Sequence, residues 1–175
     1  MELKELTEKT CAIFGCQSVE ELGTLLMRCV SENDEGKLGA FHSLVGDLSI
    51  DWMQKIFQYY QADRKEKKQD YTPKSIAELM GRLAGDADTV IDMCAGTGAL
   101  TIQRWNQNHG QKFILYEFDG HVIPYLLFNL AVRNIEAMVY QADVLQQEIY
   151  KEWVVTAGIK YGDVREVQHG NNITI

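Results

Sequence analysis

The feature that most constrains the fold is an alternation of strand-like and helix-like segments in the second half of the chain. Short apolar strands are predicted at 89–93, 112–117 and 137–142, and the helices between them end near Asn108 and Asn134. Strands that alternate with helices at this spacing form a parallel sheet with right-handed crossovers. The pattern predicts an α/β, Rossmann-like core with three layers and flanking helices.

The N-terminal part of the chain has a different pattern. Residues 1–70 are predicted to be helical, and the core domain is predicted to occupy 71–175. Ser18 and Glu21 have the spacing of a capping box, which precedes an apolar helical face. The polar segment at 31–39 is predicted to be a loop. The sequence therefore predicts a helical region followed by an α/β domain.

The C-terminal tail contains two further strand-like segments, at 153–159 and 164–168. A turn-like stretch separates them, so we expect one hairpin on the edge of the sheet. No helix–strand units follow it, and the sheet is predicted to be short on its C-terminal side.

Composition limits the class of protein. With 175 residues, 46% hydrophobic content and 2 prolines, the chain can bury a core without disulfide or metal staples. It contains no apolar run of about 20 residues and no secretion signal, so no membrane partner is expected. The four cysteines lack zinc or disulfide spacing. We expect a cytoplasmic protein without a metal site.

Charge argues against autonomous DNA binding. The chain has 17 basic and 25 acidic residues, which gives a net charge of −8. Affinity for nucleic acids comes mainly from neutralising phosphates, so DNA binding by the isolated chain is expected to be weak. A basic run at 64–68 is either a solvated helix end or a phosphate contact.

The first predicted strand leads into a glycine turn, Asp92-Met-Cys-Ala-Gly-Thr-Gly98. Such a turn lets a ligand approach the backbone beyond the carboxyl end of a strand. It is not the dinucleotide fingerprint, because Thr101 replaces the third glycine or alanine, and it is not a phosphate-binding loop, because no Gly-Lys-Ser/Thr follows.

Acids end three successive strands: Asp92, Glu117 and Asp143. Asp92 suits a cationic amino group. Glu117 can accept hydrogen bonds from two ribose hydroxyls, and Asp143 can accept a hydrogen bond from the exocyclic amine of adenine. A nucleoside with a positively charged amino-acid tail meets all three requirements, and S-adenosylmethionine is such a molecule. The alternative is a structural turn with solvated acids at the strand ends.

These motifs resemble class I methyltransferases, and more narrowly the adenine-N6 DNA methylases of type I restriction-modification systems. Tyr71-Thr-Pro73 is similar to that family's Thr-Pro element, and the segment 92–98 is similar to its glycine motif. Tyr116-Glu117 resembles its ribose-binding acid, and Ala142-Asp-Val-Leu145 its adenine-contacting acid. The resemblance covers about residues 50 to 146.

The resemblance implies S-adenosylmethionine as the cofactor and a set of binding residues. Phe118 either packs against adenine or belongs to the core. The candidate cofactor-binding residues are Tyr71, Thr72, Pro73, Asp92, Ala95, Gly96, Thr97, Gly98, Glu117, Phe118, Asp143 and Val144.

One family element is missing. The catalytic motif Asn/Asp-Pro-Pro-aromatic ends the fourth strand in these enzymes, where it holds the target amine and stacks on the flipped base. This chain has only Pro73 and Pro124 and contains no such motif, so the family pattern is truncated before it. The catalytic residues stay unknown; an acceptor would come from the tail, at Trp153 or Thr156, or from a second subunit.

Three functions follow from the sequence. The first is an S-adenosylmethionine-binding methyltransferase of the adenine-N6 DNA class, in a restriction-modification or mobile-element context. The second is a catalytically inactive cofactor-binding or partner-interaction module of a modification system. The third is a methyltransferase that acts on RNA or a small molecule.

Overall fold

The computed structural model describes residues 2–60, 72–83, 85 and 87–168. The helices follow the predicted order, with one addition near residue 40. They are α1 (Leu3–Phe14), a 3-10 turn (Val19–Glu21), α2 (Leu22–Ser31), α3 (Glu35–Val45), α4 (Trp52–Tyr60), α5 (Lys74–Leu83), α6 (Ala99–Gln107) and α7 (Ile123–Arg133). The strands are β1 (Thr89–Asp92), β2 (Lys112–Glu117), β3 (Ala137–Asp143), β4 (Glu148–Thr156) and β5 (Asp163–Val167).

The described strands form one mixed sheet in the order β1-β2-β3-β4-β5. β1, β2 and β3 are parallel, whereas β4 is antiparallel to β3 and β5 is antiparallel to β4. The predicted α/β class, the three parallel strands and the hairpin on the sheet edge are therefore confirmed.

The packing of the sheet corrects the expected three layers. Side chains of one face, such as Phe113, Leu115 and Val139, are buried in a core with α7. The opposite face carries exposed side chains such as Ile91 and Met138. Because β2 and β3 are added successively in one direction, both right-handed crossovers place their helices on the same face. In the described part of the chain, the prediction of a three-layer core was therefore wrong.

The N-terminal helices pack on α7 through aromatic side chains. Phe14 and Phe41 both contact Phe128 edge to face, with ring centroids 5.3 and 5.1 Å apart, and Phe57 lies 5.0 Å from Tyr125. These helices and the sheet share one hydrophobic core. The division at residue 70 stays a prediction.

The predicted loop at 31–39 is shorter than expected, because α3 begins within it at Glu35. Asp34 caps this helix: its Oδ1 accepts a hydrogen bond from the Lys37 amide at 3.0 Å. The prediction of a loop through residue 39 was therefore wrong.

The predicted capping box forms only in part. Glu21 Oε2 accepts a hydrogen bond from the Gln17 amide at 3.0 Å, one residue before the expected donor. The Ser18 side chain makes no capping hydrogen bond. None of the described helices has the length and apolar character needed to cross a membrane.

Candidate cofactor site

The glycine turn joins β1 to α6 through two left-handed backbone conformations. Gly96 has φ 56° and Gly98 has φ 98°, a region that favours glycine. The Ala95 amide donates to the Tyr116 carbonyl at 2.9 Å, which fixes the turn beside the end of β2. The predicted turn therefore lies at the carboxyl end of the parallel strands.

Glu117 contacts the glycine turn directly. Its Oε2 accepts a hydrogen bond from the Gly96 amide at 2.9 Å, and its Oε1 accepts from the Asp119 amide at 2.8 Å. Burial raises the pKa of Glu117, although these hydrogen bonds act in the opposite direction. The structure thus brings together two of the candidate residues, which are 21 positions apart.

Asp92 has one carboxylate oxygen that lacks a hydrogen-bond donor. Its Oδ1 accepts from the Cys94 amide at 3.1 Å, whereas Oδ2 is buried and has no partner among the described residues. Burial raises the pKa of this carboxyl. A buried acceptor without a donor is costly, so this position suits a ligand that donates a hydrogen bond or carries positive charge.

Asp143 lies at the same end of the sheet as Glu117, since Glu117 pairs with Gln141 two residues earlier in β3. Its Oδ1 accepts from the Leu145 and Gln146 amides, both at 3.0 Å, and so caps its own turn. Asp143 therefore lies at the expected edge, but it has no hydrogen bond to the glycine turn within the described structure.

Phe118 and Val144 differ in exposure. Phe118 is 62% exposed, which excludes the core alternative for this ring and leaves its aromatic face open to solvent. Its nearest described ring is Tyr150, with centroids 6.4 Å apart. Val144 is half-buried in the turn after β3.

Thr72 and Pro73 line a cavity of about 400 Å³. The cavity also touches α4 and the first turn of α6; its further lining residues include Asp51, Gln54, Lys55, Ala99 and Gln103. α5 begins after Pro73, whose carbonyl accepts from the amides of Ile76 and Ala77. Tyr71 and the basic run at 64–68 lie outside the described residues.

Asp51 is a buried acid that was not predicted from the sequence, and it joins α4 to the glycine turn. Asp51 Oδ2 accepts from Thr97 Oγ1 at 2.7 Å, and Oδ1 accepts from the Gln54 amide and from Asn129 Nδ2, both at 2.8 Å. Asn129 Nδ2 also donates to the Thr97 carbonyl at 2.8 Å. These contacts hold Thr97 between two helices.

Arg133 extends this network into the N-terminal region. Its guanidinium donates to Asn129 Oδ1 and to the carbonyls of Leu48 and Ile50, each at 2.8 Å. Burial lowers the pKa of Arg133 to about 10, and burial raises the pKa of Asp51. One available signal was the pair of polar residues at i and i+4 within the apolar run of α7.

The described residues form no metal centre. No group of three His, Cys, Asp or Glu side chains among them could hold an ion, and the four cysteines are free.

The comparisons place the chain in a family. The sequence profile of the N-6 DNA Methylase family matches residues 46–161, which covers the glycine turn, all three strand-end acids and the Asp51 network. Searches of curated proteins and of solved structures gave no match. The match spans well over half of the chain, and the protein belongs to the N-6 DNA methylase family.

Proposed function

We propose that the chain binds S-adenosylmethionine at the glycine turn and serves as the cofactor-binding module of an adenine-N6 DNA methylase. The observation that carries this proposal is the buried Asp92 Oδ2, which has no donor among the described residues, beside a turn that Glu117 holds in place. S-adenosylmethionine supplies both an ammonium group and a sulfonium charge to such a carboxylate.

The hydrogen-bonding capacity of Glu117 is compatible with this ligand. Each of its carboxylate oxygens accepts one backbone amide, and a carboxylate oxygen has room for a second donor. Two ribose hydroxyls can therefore bind Glu117 without disrupting the turn. Asp143 Oδ2 and the exposed ring of Phe118 are the groups that we assign to adenine.

The cavity beside Thr72 and Pro73, which Asp92 does not line, is our candidate for the carboxylate of the cofactor's amino-acid end. It adjoins the first turn of α6, where free backbone amides favour a carboxylate. Asp51, which accepts the hydrogen bond from Thr97, is among the residues that line this cavity. In this proposal, the chain positions the methyl donor and excludes water from its charged end.

The two tail residues that were predicted as acceptors, Trp153 and Thr156, do not lie at the candidate cofactor site. Trp153 is 3% exposed and packs in the core. Thr156 pairs with Asp163 and follows Val155, which pairs with Ala137 at the start of β3, so Thr156 lies at the sheet end opposite the glycine turn. Neither predicted acceptor in the tail is therefore near the candidate site.

We therefore propose that the isolated chain binds cofactor but does not methylate DNA unaided. A second subunit would supply the acceptor groups and target recognition, in a cytoplasmic restriction-modification or mobile-element setting. The burial of Trp153 also favours the alternative that the chain is a catalytically inactive module, because a buried ring cannot stack on a substrate base. The net charge of −8 supports weak DNA binding by this chain alone.

Isothermal titration with S-adenosylmethionine tests the cofactor proposal. We expect micromolar or weaker binding to the wild type and none to Gly96→Val, because a side chain would occupy the space that the ligand requires. Gly15→Val is the matched control, since Gly15 also has a positive φ (77°). It is distant from Gly96 in the sequence, and no atom lies within 4 Å of a Cβ added at Gly15. Absence of binding to folded wild type at millimolar ligand would refute the proposal.

A methyl-transfer assay tests the catalytic part. We expect no incorporation of labelled methyl groups into mixed-sequence DNA by the isolated chain. Incorporation above background that is lost in Asp92→Ala would show that the chain contains its own acceptor site.

A gel-shift titration tests DNA binding by the isolated chain. It should show weak DNA binding that moderate salt abolishes.

A further inference from the structure

Two of the four cysteines lie together at the C-terminal end of α1. The amides of Gly15 and Cys16 both donate to the Cys11 carbonyl, at 2.8 and 3.0 Å. Gly15 has φ 77°, so the chain leaves the helix through a left-handed turn that suits glycine. In helix ends of this kind, the side chains on either side of the turn, which are Cys11 and Cys16 in this chain, contact each other. The sequence spacing alone predicts no disulfide, and the turn at Gly15 is what brings the two cysteines together.

The backbone holds Cys11 and Cys16 within the range of a disulfide. The hydrogen bond from the Cys16 amide to the Cys11 carbonyl is 3.0 Å long. The covalent bonds on either side of it add little, so the two Cα atoms are no more than about 7 Å apart. A disulfide can bridge Cα atoms up to this separation without backbone movement. The pair therefore lies inside the geometric limit.

The two side chains also interact with each other. Both are half-buried. Burial raises the pKa of the Cys16 thiol to about 12, and a hydrogen bond with Cys11 acts in the same direction. The other two cysteines have different surroundings, since Cys94 is exposed in the glycine turn and Cys29 is buried, with its Sγ donating to the Asp34 carbonyl at 3.8 Å. The contact therefore distinguishes Cys11 and Cys16 from the other cysteines.

We propose that Cys11 and Cys16 form a dithiol site that reacts with a low-molecular-weight disulfide, such as oxidised glutathione, and becomes an internal disulfide. The Cys11 thiolate attacks one glutathione sulfur, breaks the S–S bond and releases one glutathione thiolate. Cys16 then attacks Cys11 Sγ in the mixed disulfide and releases the second. Two protein thiols are oxidised, one glutathione disulfide is reduced to two thiols, and the protons lost by the cysteines pass to the released thiolates.

The order of attack follows from the state of the two thiols. The thiolate is the attacking species, and the Cys16 thiol is held in its protonated form, so the exchange begins at Cys11. The internal disulfide closes a loop that contains Phe14, which is 4% exposed and packs edge to face on Phe128 of α7. It therefore fixes the end of α1 that contacts α7. Where glutathione keeps thiols reduced, such a disulfide is transient and responds to oxidation.

Mass spectrometry of the whole chain, equilibrated with reduced and oxidised glutathione, tests the proposal. We expect the peptide that contains Cys11 and Cys16 to lose the mass of two hydrogen atoms in the folded wild type. Cys16→Ser should carry glutathione at Cys11 and form no internal disulfide. Cys94→Ser is the matched control, and it should form the internal disulfide as the wild type does. Circular dichroism verifies that each variant is folded.

The same equilibrium in concentrated urea measures the contribution of the fold. The two cysteines stay close in the sequence but the turn at Gly15 is lost, so the equilibrium constant for the internal disulfide should fall about tenfold or more. A folded wild type that forms no internal disulfide would overturn the proposal. So would one that pairs different cysteines, or an equilibrium constant that urea leaves unchanged. The test requires no cofactor, and its result is independent of the proposed function.

Discussion

Asp51 Oδ2 accepts a hydrogen bond from Thr97 Oγ1 at 2.7 Å, across 46 positions of the sequence. The two side chains are both buried, and they connect the start of α4 to the centre of the glycine turn. Because Thr97 lies between Gly96 and Gly98, the conformation of the turn depends on a residue of the N-terminal region. The helical region therefore acts as a support for the candidate cofactor site.

The first prediction is that Asp51→Ala strongly destabilises the fold. The substitution leaves the buried Arg133 with Asp47 but without Asp51, and leaves Thr97 without its acceptor; the loss of one partner of a buried ion pair typically costs about 3–5 kcal/mol. Asp51→Asn should cost less, because the amide oxygen can still accept hydrogen bonds from the Gln54 amide and Asn129 while its NH2 group donates to the Thr97 hydroxyl. Urea unfolding of both variants measures the difference. Equal stability of Asp51→Ala and wild type would contradict the role of this network.

The parts of the fold that could be predicted are those with a local cause. The strands at 89–93, 112–117 and 137–142 are short apolar runs next to turns, and the glycine turn follows from Gly96 and Gly98. The helix α3 was missed because Gly36 and Gly39 lower its intrinsic propensity. It is stabilised by a distant contact between Phe41 and Phe128.

The parts that could not be predicted depend on long-range geometry. Asp51 meets Asn129 across 78 positions, and no local pattern indicates that pairing. The uncovered face of the sheet follows from strand order, since β1 is at the edge and both crossovers lie on one side. The candidate acids could be located because each one ends a strand, whereas their hydrogen bonds could not.

The second prediction concerns pH. Burial raises the pKa of Asp92 above its usual 3.8, so between that value and the folded pKa the native state binds more protons than the unfolded state. The contribution of Asp92 to the free energy of unfolding is therefore present at low pH and is lost as pH rises. Asp92→Asn should remove this loss and be more stable than wild type at neutral pH.

Urea unfolding of wild type and Asp92→Asn across pH 4 to 7 checks this prediction, because the difference between them removes contributions common to both. The same variant should bind S-adenosylmethionine more weakly, since the ligand loses a carboxylate. A variant that is less stable than wild type at neutral pH would show that Asp92 has a stabilising partner.

The third prediction is that Cys94 reports on occupancy of the site. Its thiol is exposed, but burial of part of the side chain and the charges of Glu117 and Asp92 raise its pKa. Because the thiolate is the reactive species, alkylation by iodoacetamide should be slower than for an unperturbed cysteine. Glu117→Gln should accelerate it by removing one negative charge.

Mass spectrometry of the Cys94 peptide measures this rate separately from the other cysteines. Bound S-adenosylmethionine should slow alkylation further by covering the turn. Cys29 serves as an internal reference, because burial raises its pKa to about 12 and keeps it unreactive. An alkylation rate at Cys94 that saturating cofactor leaves unchanged would argue against binding at the glycine turn.

The last prediction concerns Gly98, where backbone conformation and close packing coincide. Its φ of 98° costs an alanine about 1–2 kcal/mol, and the added Cβ would lie 3.0 Å from Leu126 Cδ1. Leu126 is completely buried and has little room to move, so Gly98→Ala should cost a further 1–3 kcal/mol, roughly, through overpacking.

Gly15→Ala is the control for this prediction, because Gly15 has φ 77° and nothing within 4 Å of the added Cβ. It carries the backbone cost alone, and the difference between the two variants in urea unfolding isolates the contact with Leu126. Since Leu126 belongs to α7, a larger loss in Gly98→Ala would demonstrate that the glycine turn is packed against that helix. Equal losses in the two variants would mean that the turn moves away from α7 without cost.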